Sequence, residues 1–330
     1  MNDVRLSFCI PTYNFGEFIG ETLESIITQA GDEVEIVVGD GASTDNTEEV
    51  VRGYQSSFPK LFYYKFEKKG GIDLDLAKTV ELSRGDYCWL MSSDDVLKPG
   101  AIQRVLNEIK LGQDVYLCNR TVCDRDLKPK RYSKLWLSNR ITDRVFYFSN
   151  KSDLLDYLNA SQSIGALFSY VSSIFVRRNK WNEIGYDERF AGSNYAHVFR
   201  LISILQLSGN SLKYIKEQLI LFRGDNDSFR DRGYAKRILI DLDGYRHLGE
   251  CFFHDKDVRD AYKAVMRRHH EWYFLPRLKS EVDDELKWNE LEGKLSYYGY
   301  SSAEMFLINM LGGSRMFVGM ARSLKRLLRI

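Results

Sequence analysis

Short apolar runs alternate with amphipathic stretches four times before residue 115, and nothing else in the chain constrains its fold as strongly. Residues 6–10, 34–38, 61–66 and 87–91 are runs of strand length, and 6–10 and 87–91 carry the apolar pattern of buried strands. Between the first two, residues 15–30 carry Phe18, Ile19, Leu23, Ile26 and Ile27 at helical spacing. Ser43, Thr44 and Asp45 offer N-cap residues for a second helix running to Tyr54, with Glu48 at capping-box spacing. Residues 74–83 and 101–111 read as the third and fourth helices, and 115–122 as a fifth strand. Strand and helix in strict alternation predict an α/β fold, a mostly parallel sheet flanked by helices and joined by right-handed crossovers.

Beyond residue 124 the alternation weakens. A basic stretch of strands and loops is expected over 124–150, a short helix over 152–159 and a strand over 168–176. A turn of helix at 179–184, a helix at 196–207 and a returning strand at 212–222 follow. After Gly233 the pattern turns helical almost to the end, with breaks near Asp255, Pro276 and Gly299. The expected division is therefore a sheet-bearing unit over residues 1–230 and a helical region over 231–330.

The net charge of +1 gives no global imbalance and argues against a nucleic-acid partner. Five scattered cysteines form no paired CxxC array, so reduced and mostly buried thiols are expected. The start of the chain runs from Met1 into charged residues, and no apolar run reaches the length of a membrane span, so a cytoplasmic protein is expected.

Three polar loops follow the strands: Pro11-Thr12-Tyr13-Asn14, Asp40-Gly41-Ala42-Ser43-Thr44-Asp45 and Ser92-Ser93-Asp94-Asp95. In a parallel sheet all three fall on the carboxyl edge, where open α/β sheets hold their ligands. Adjacent carboxylates repel unless a cation sits beside them, and Mg²⁺ is typically held by one or two carboxylates together with phosphate oxygens. The competing reading makes Asp94 or Asp95 the cap of the next helix, with Pro99 near its first turn. A dinucleotide-dependent oxidoreductase is disfavoured, because the first strand-to-helix turn lacks G-x-G-x-x-G.

These motifs, with Val37-Val-Gly-Asp-Gly-Ala-Ser-Thr-Asp-Asn-Thr47 and Gly85-Asp-Tyr87 in the same order, resemble family 2 glycosyltransferases of the GT-A fold over roughly residues 5–110. Val171-Ser-Ser-Ile-Phe175, Gly185-Tyr-Asp-Glu188 and Phe222-Arg-Gly-Asp-Asn-Asp-Ser228 extend the resemblance towards the abequosyltransferase-like branch, which builds O-antigen and related surface polysaccharides. The resemblance implies a nucleotide-sugar donor and a divalent cation, Mg²⁺ or Mn²⁺, as cofactor. It places Pro11, Thr12, Tyr13, Asn14 and Ser93 around the nucleotide, Asp40 on its base and Asp94 on the metal. Asp95 would assist the metal or position the acceptor. One departure weakens the metal site: Ser92 stands where the family has the first aspartate of its Asp-x-Asp.

An inverting transfer needs a base for the acceptor hydroxyl. The family's Glu-Asp pair is missing from Gly192-Ser-Asn-Tyr-Ala-His197, and Asn194 is no base at neutral pH. His197 is a candidate, with Asp187 and Glu188 as competitors. Asp73 or Asp75, after Gly70-Gly71, would bind ribose or sugar, or cap a helix. Arg223, with Arg230 and Arg232, would form a loop that closes over the diphosphate, or a solvated charged loop.

In residues 314–330, Phe317, Met320, Leu324, Leu327 and Leu328 share a helical face among basic residues. Such a helix binds a membrane surface or packs on its own domain. The membrane reading makes the protein peripheral at the inner face of the plasma membrane and suits a lipid-linked saccharide acceptor. The rival to an enzyme is a catalytically inactive binding or scaffold protein of the same fold.

Overall fold

The computed structural model describes residues 4–226, 234–270, 275–281 and 285–312. The basic tail over 314–330 and the arginines Arg230 and Arg232 lie outside the described residues. The strands β1 (Leu6–Thr12), β2 (Val34–Asp40), β3 (Leu61–Lys65) and β4 (Tyr87–Leu90) pair in parallel in the order β3-β2-β1-β4. Every residue of β1, β2 and β4 is buried, which is why these segments read as largely apolar runs, and the polar Ser7 and Glu35 within them pair with each other at 2.6 Å. The crossovers carry α1 (Ile19–Ile27), α2 (Thr47–Gln55) and α3 (Gly71–Glu81). A two-residue strand, β5 (Val96–Leu97), intervenes before α4 (Ala101–Ile109).

The far half of the sheet is mixed. It comprises β6 (Val115–Cys123), β7 (Arg144–Phe146), β8 (Ile174–Arg177) and β9 (Leu212–Arg223). β8 runs antiparallel to both β4 and β6, while β6 and β9 are parallel. β9 also takes β5 and β7 as antiparallel partners. The strand expected over 168–176 is confined to β8, because the chain before it winds into 3-10 turns at Ile164–Leu167 and Val171–Ser173. Phe168 between those turns has φ 65, a left-handed conformation that ends any strand.

The remaining helices are α5 (Lys151–Ala160), α6 (Arg178–Glu183), α7 (Ala196–Gln206), α8 (Tyr234–Phe252), α9 (Lys256–His269), α10 (Leu275–Glu281), α11 (Glu285–Tyr297) and α12 (Ser302–Gly312). One apolar layer packs Ile19, Leu23, Ile26, Val51 and Val105 on the sheet, with Phe8 and Trp89 stacked at 5.1 Å and Tyr116 and Phe175 at 4.6 Å. The opposite layer runs without a break from Cys9 and Val80 through Leu201 and Tyr245 to Ile308. Burying each such side chain contributes about 1.5–3 kcal/mol. Four cysteines are buried, Cys251 is half-buried, and all five are free thiols. No described helix is long and apolar enough to cross a membrane.

Candidate active site

Thr12, Asp40 and Lys65 lie side by side where β1, β2 and β3 end, so the polar loops do share one edge of the sheet. Two of those loops are knitted together. The Asn14 amide donates to Ser43 Oγ at 2.8 Å, and Asn14 Oδ1 accepts from the Thr44 amide at 2.8 Å. The Gly16 amide donates to Asp45 Oδ2 at 3.0 Å. Only glycine fits there, because a Cβ on Gly16 would lie 2.1 Å from Asn46 Oδ1 and 2.9 Å from the Thr47 nitrogen. The expected capping box on α2 does not form. Asn46 is the N-cap residue and makes no side-chain cap bond, while Glu48 pairs with Lys65 at 3.0 Å and Arg52 at 2.9 Å.

Asp40 is fully buried. Its Oδ1 accepts from the Ser43 amide at 2.7 Å and its Oδ2 from the Tyr63 hydroxyl at 2.5 Å, so a base reaching it must compete with Tyr63. Thr12 Oγ1 is buried with no partner among the described residues, an acceptor and donor left over beside Asp40. Pro11 is buried beneath it, and Tyr13 is half-buried with Lys69 Nζ 3.7 Å from its ring centre.

The acid pair is not a helix cap. The N-cap residue of α4 is Gly100, with φ 82 and no side-chain cap bond. β5 instead ties the loop to β9, through Val96 opposite Leu221, and sinks Ser93, Asp94 and Asp95 to 4%, 8% and 1% exposure. Asp94 accepts from the Ser92 hydroxyl through Oδ1 and from Asn226 Nδ2 at 3.0 Å through Oδ2. Asp95 accepts from the Tyr170 hydroxyl and, at 2.5 Å, from Ser172 Oγ through Oδ2, and from the Arg223 amide at 3.1 Å through Oδ1. Burial raises both carboxyls, and Asp95, pressed further by the charge of Asp94, reaches about 7. The oxygens about Asp94 are its own carboxylate and the Ser92 hydroxyl, with the Asn226 amide close enough to present its own oxygen if it turns over. Two carboxyls disfavoured in their charged form, with hard oxygens around them, suit a hard divalent cation.

Arg223 is corrected from a loop residue to the last residue of β9. It is 4% exposed, and its guanidinium is spent on internal partners: Nε on the Asp94 carbonyl at 2.9 Å, and the two terminal nitrogens on the Arg125 carbonyl and Glu21 Oε2, each at 2.6 Å. It fixes the acid loop and does not reach out for phosphate.

Arg120, on β6, was missed in the sequence. Its guanidinium lies 3.6 Å from the Trp136 ring centre and 5.5 Å and 5.7 Å from those of Tyr170 and Phe222. It makes one hydrogen bond, to the Lys134 carbonyl at 3.5 Å, and no carboxylate lies within ion-pair distance among the described residues. Burial lowers it to about 10, with Tyr170 and Asp95 opposing. Aromatic rings hold this cation within electrostatic reach of Asp95. The signal available was a lone arginine interrupting an apolar strand.

Asp73 and His197 are placed elsewhere than the sequence reading expected. α3 begins before Asp73, whose carboxylate caps α7 from across the fold, accepting from the Asn194 amide at 2.9 Å and the Ala196 amide at 3.1 Å. It is a capping residue and not a ribose ligand, worth about 1 kcal/mol to α7. Asp75 turns back on the Gly70 amide at 3.0 Å.

His197 is a core histidine. Its Nε2 meets the Phe168 carbonyl at 2.9 Å, its Nδ1 is buried without a partner among the described residues, and burial pushes it down to about 4. A base needs an accessible lone pair, and His197 is 5% exposed. The unfolded value is near 6.5, so the neutral form's contribution is complete above pH 6.5 and is lost as pH falls towards 4. The loss expected from this group is roughly 3 kcal/mol. Urea midpoints measured between pH 7 and 4 should fall less steeply in His197→Gln than in the parent; equal slopes would reject the assignment. Asp187 caps the 3-10 turn Glu188–Phe190 and grips Arg189, whereas Glu188 is exposed.

The sequence signature of Glycosyl transferase family 2 matches residues 7–186. The abequosyltransferase RfbV of Salmonella typhimurium is 36% identical over 276 residues, 82% of this chain and 82% of its own length. Glycosyltransferase GlyG of Streptococcus pneumoniae is 27% identical over 78% of this chain and 81% of its own. Among solved structures, S. aureus TarS in complex with UDP-GlcNAc superimposes with a TM-score of 0.63 at 15% identity, covering 89% of this chain and 80% of that one. The mannosyltransferase PcManGT of Pyrobaculum calidifontis, in complex with GDP-Man and Mn²⁺, gives 0.57 at 14% identity over 98% and 87%.

Proposed function

Because the chain belongs to glycosyl transferase family 2, and is a glycosyltransferase, we propose that it moves a sugar from a nucleoside-diphosphate donor to a saccharide hydroxyl at the edge where Thr12, Asp40, Asp94 and Arg120 stand. The observation that carries this reading is the buried acid pair, two carboxyls raised by burial among hydroxyl, amide and arginine neighbours. Nucleotide sugars bound by TarS and PcManGT support the donor class. The kinship with an abequosyltransferase supports a hexosyl or deoxyhexosyl transfer in surface polysaccharide assembly.

In an inverting transfer the acceptor oxygen attacks the anomeric carbon as the bond to the diphosphate oxygen breaks, and charge gathers on the departing diphosphate. Asp94, with Ser92 and Asn226, would hold a divalent ion, which when bound neutralises that charge. Arg120 supplies a fixed positive charge on the same edge, and its aromatic walls keep it pointed without a competing carboxylate. Thr12 Oγ1 has an unmet hydrogen bond to offer the nucleotide, and Asp40 with Tyr63 forms the polar floor for its base. Of the proton acceptors read from the sequence, His197 is buried and Asp187 is held by Arg189, so the acceptor proton is assigned to exposed Glu188.

Calorimetric titration with UDP, CDP and GDP, each with and without Mn²⁺, tests the reading. Binding of one nucleotide at micromolar affinity that needs both metal and Asp94 is the expected result. Binding that ignores the metal would transfer the charge-neutralising role to Arg120. Failure of every nucleotide to bind would sink the proposal and leave a scaffold of the same fold. A lipid-linked acceptor fits the basic, apolar-faced tail over 314–330. Co-sedimentation with anionic vesicles should be lost when that tail is removed; unchanged sedimentation would reject membrane contact through it.

A further inference from the structure

A second cluster lies in the C-terminal helices, on residues for which the transfer reaction has no use. Asp241 comes from α8, His269 ends α9, and His270 is its C-cap. Asp241 Oδ2 stands 3.9 Å from His270 Nε2 and 4.0 Å from His269 Nε2, and the three ligand atoms all lie within 4.8 Å of one another. Those separations are too long for hydrogen bonds. His270 is 7% exposed, and its Nε2 is buried with no hydrogen-bond partner among the described residues. A buried ring nitrogen aimed at a carboxylate it does not touch is an unmet coordination, not a completed ion pair.

We propose that Asp241, His269 and His270 form a binding site for a borderline divalent metal ion of the Zn²⁺ class. Two imidazoles and one carboxylate are the donors of zinc-type sites, and they differ in kind from the all-oxygen set about Asp94. Ligand atoms around tetrahedral zinc lie about 3.3 Å apart, so closing this site needs shifts of roughly half an ångström. The carboxylate is oriented for the task. Its Oδ1 is held by the Tyr195 hydroxyl and lies 3.3 Å from Arg237, while Oδ2 is the oxygen nearer the two rings. Such outer partners fix a metal ligand's orientation. His269 is one-third exposed, which leaves a path for the ion. The bound ion would pin the end of α9 to α8 and, through Tyr195, to the start of α7.

The test uses the full, tag-free chain stripped of metal and titrated with Co²⁺, followed by competition with Zn²⁺. The expected result is one Co²⁺ per chain with the intense visible bands of a tetrahedral site, displaced by Zn²⁺, and a melting temperature about 5 °C higher at a hundredfold excess of Zn²⁺ over its dissociation constant. His269→Gln alters an exposed side chain and should fold normally while binding about tenfold or more weakly. His270→Ala should abolish the bands, and Asp94→Asn should leave them unchanged. Absent or octahedral bands, or wild-type affinity in His269→Gln, would overturn the proposal and indicate adventitious surface binding.

Discussion

Asp94→Ala should lower kcat/KM by about a thousandfold while leaving the thermal midpoint within a few degrees of the parent. The size follows from what the residue is asked to do: single groups that stabilise transition-state charge are worth about 10²–10³ in rate. The carboxylate is held by a serine and an asparagine and spans no two elements of the sheet by itself, so the fold does not hang on it. Removing one of two raised, neighbouring carboxyls also relieves Asp95 of a like charge, which offsets the lost hydrogen bonds. Steady-state kinetics with the nucleotide sugar identified by calorimetry would check it. A loss of less than tenfold would remove Asp94 from the reaction. Glu188→Gln provides the contrast: it should retain nucleotide binding and lose turnover, because a proton acceptor matters after the donor is bound.

Arg120→Met should cost about a hundredfold in kcat/KM, and Arg120→Lys nearly as much. Methionine preserves packing against Trp136 while deleting the charge, and lysine restores the charge without the planar group that lies on the rings. Arg223→Met is the informative partner. Arg223 ties the Asp94 and Arg125 carbonyls to Glu21, so its loss should appear first in the denaturation midpoint, by about 2 kcal/mol. If Arg120→Met were as active as the parent and Arg223→Met stable but inactive, the two roles assigned here would have to be exchanged.

The parallel half of the sheet was legible because strands buried on both faces write themselves as apolar runs, and the loops after them could be placed on one edge by topology alone. Asp94 and Asp95 were found that way. What could not be read were partners set by tertiary contact. Asp73 looked like a ligand or a cap of its own helix and serves a helix more than a hundred residues on. His197 carried the right chemistry at the right motif, yet its neighbour is the carbonyl of Phe168, whose left-handed turn no apolar pattern announces. Arg223 was expected over the phosphates and Arg120 drew no expectation for the same reason: only the packing shows which cation is already spoken for.

The way Arg223 grips the acid loop has a consequence for the order in which the molecule is made. Its amide holds Asp95 across 128 positions and its guanidinium reaches Glu21 across 202. A ribosome releases β1 to β4 early, and those strands can pair as they emerge. The acid loop, however, has no β5 partner and lacks the Arg223 tether until β9 has left the exit tunnel, and contacts so distant in sequence form slowly. A growing chain would therefore hold a folded nucleotide edge for some time before it could cleave a donor, and competence would arrive with one of the last strands to be synthesised.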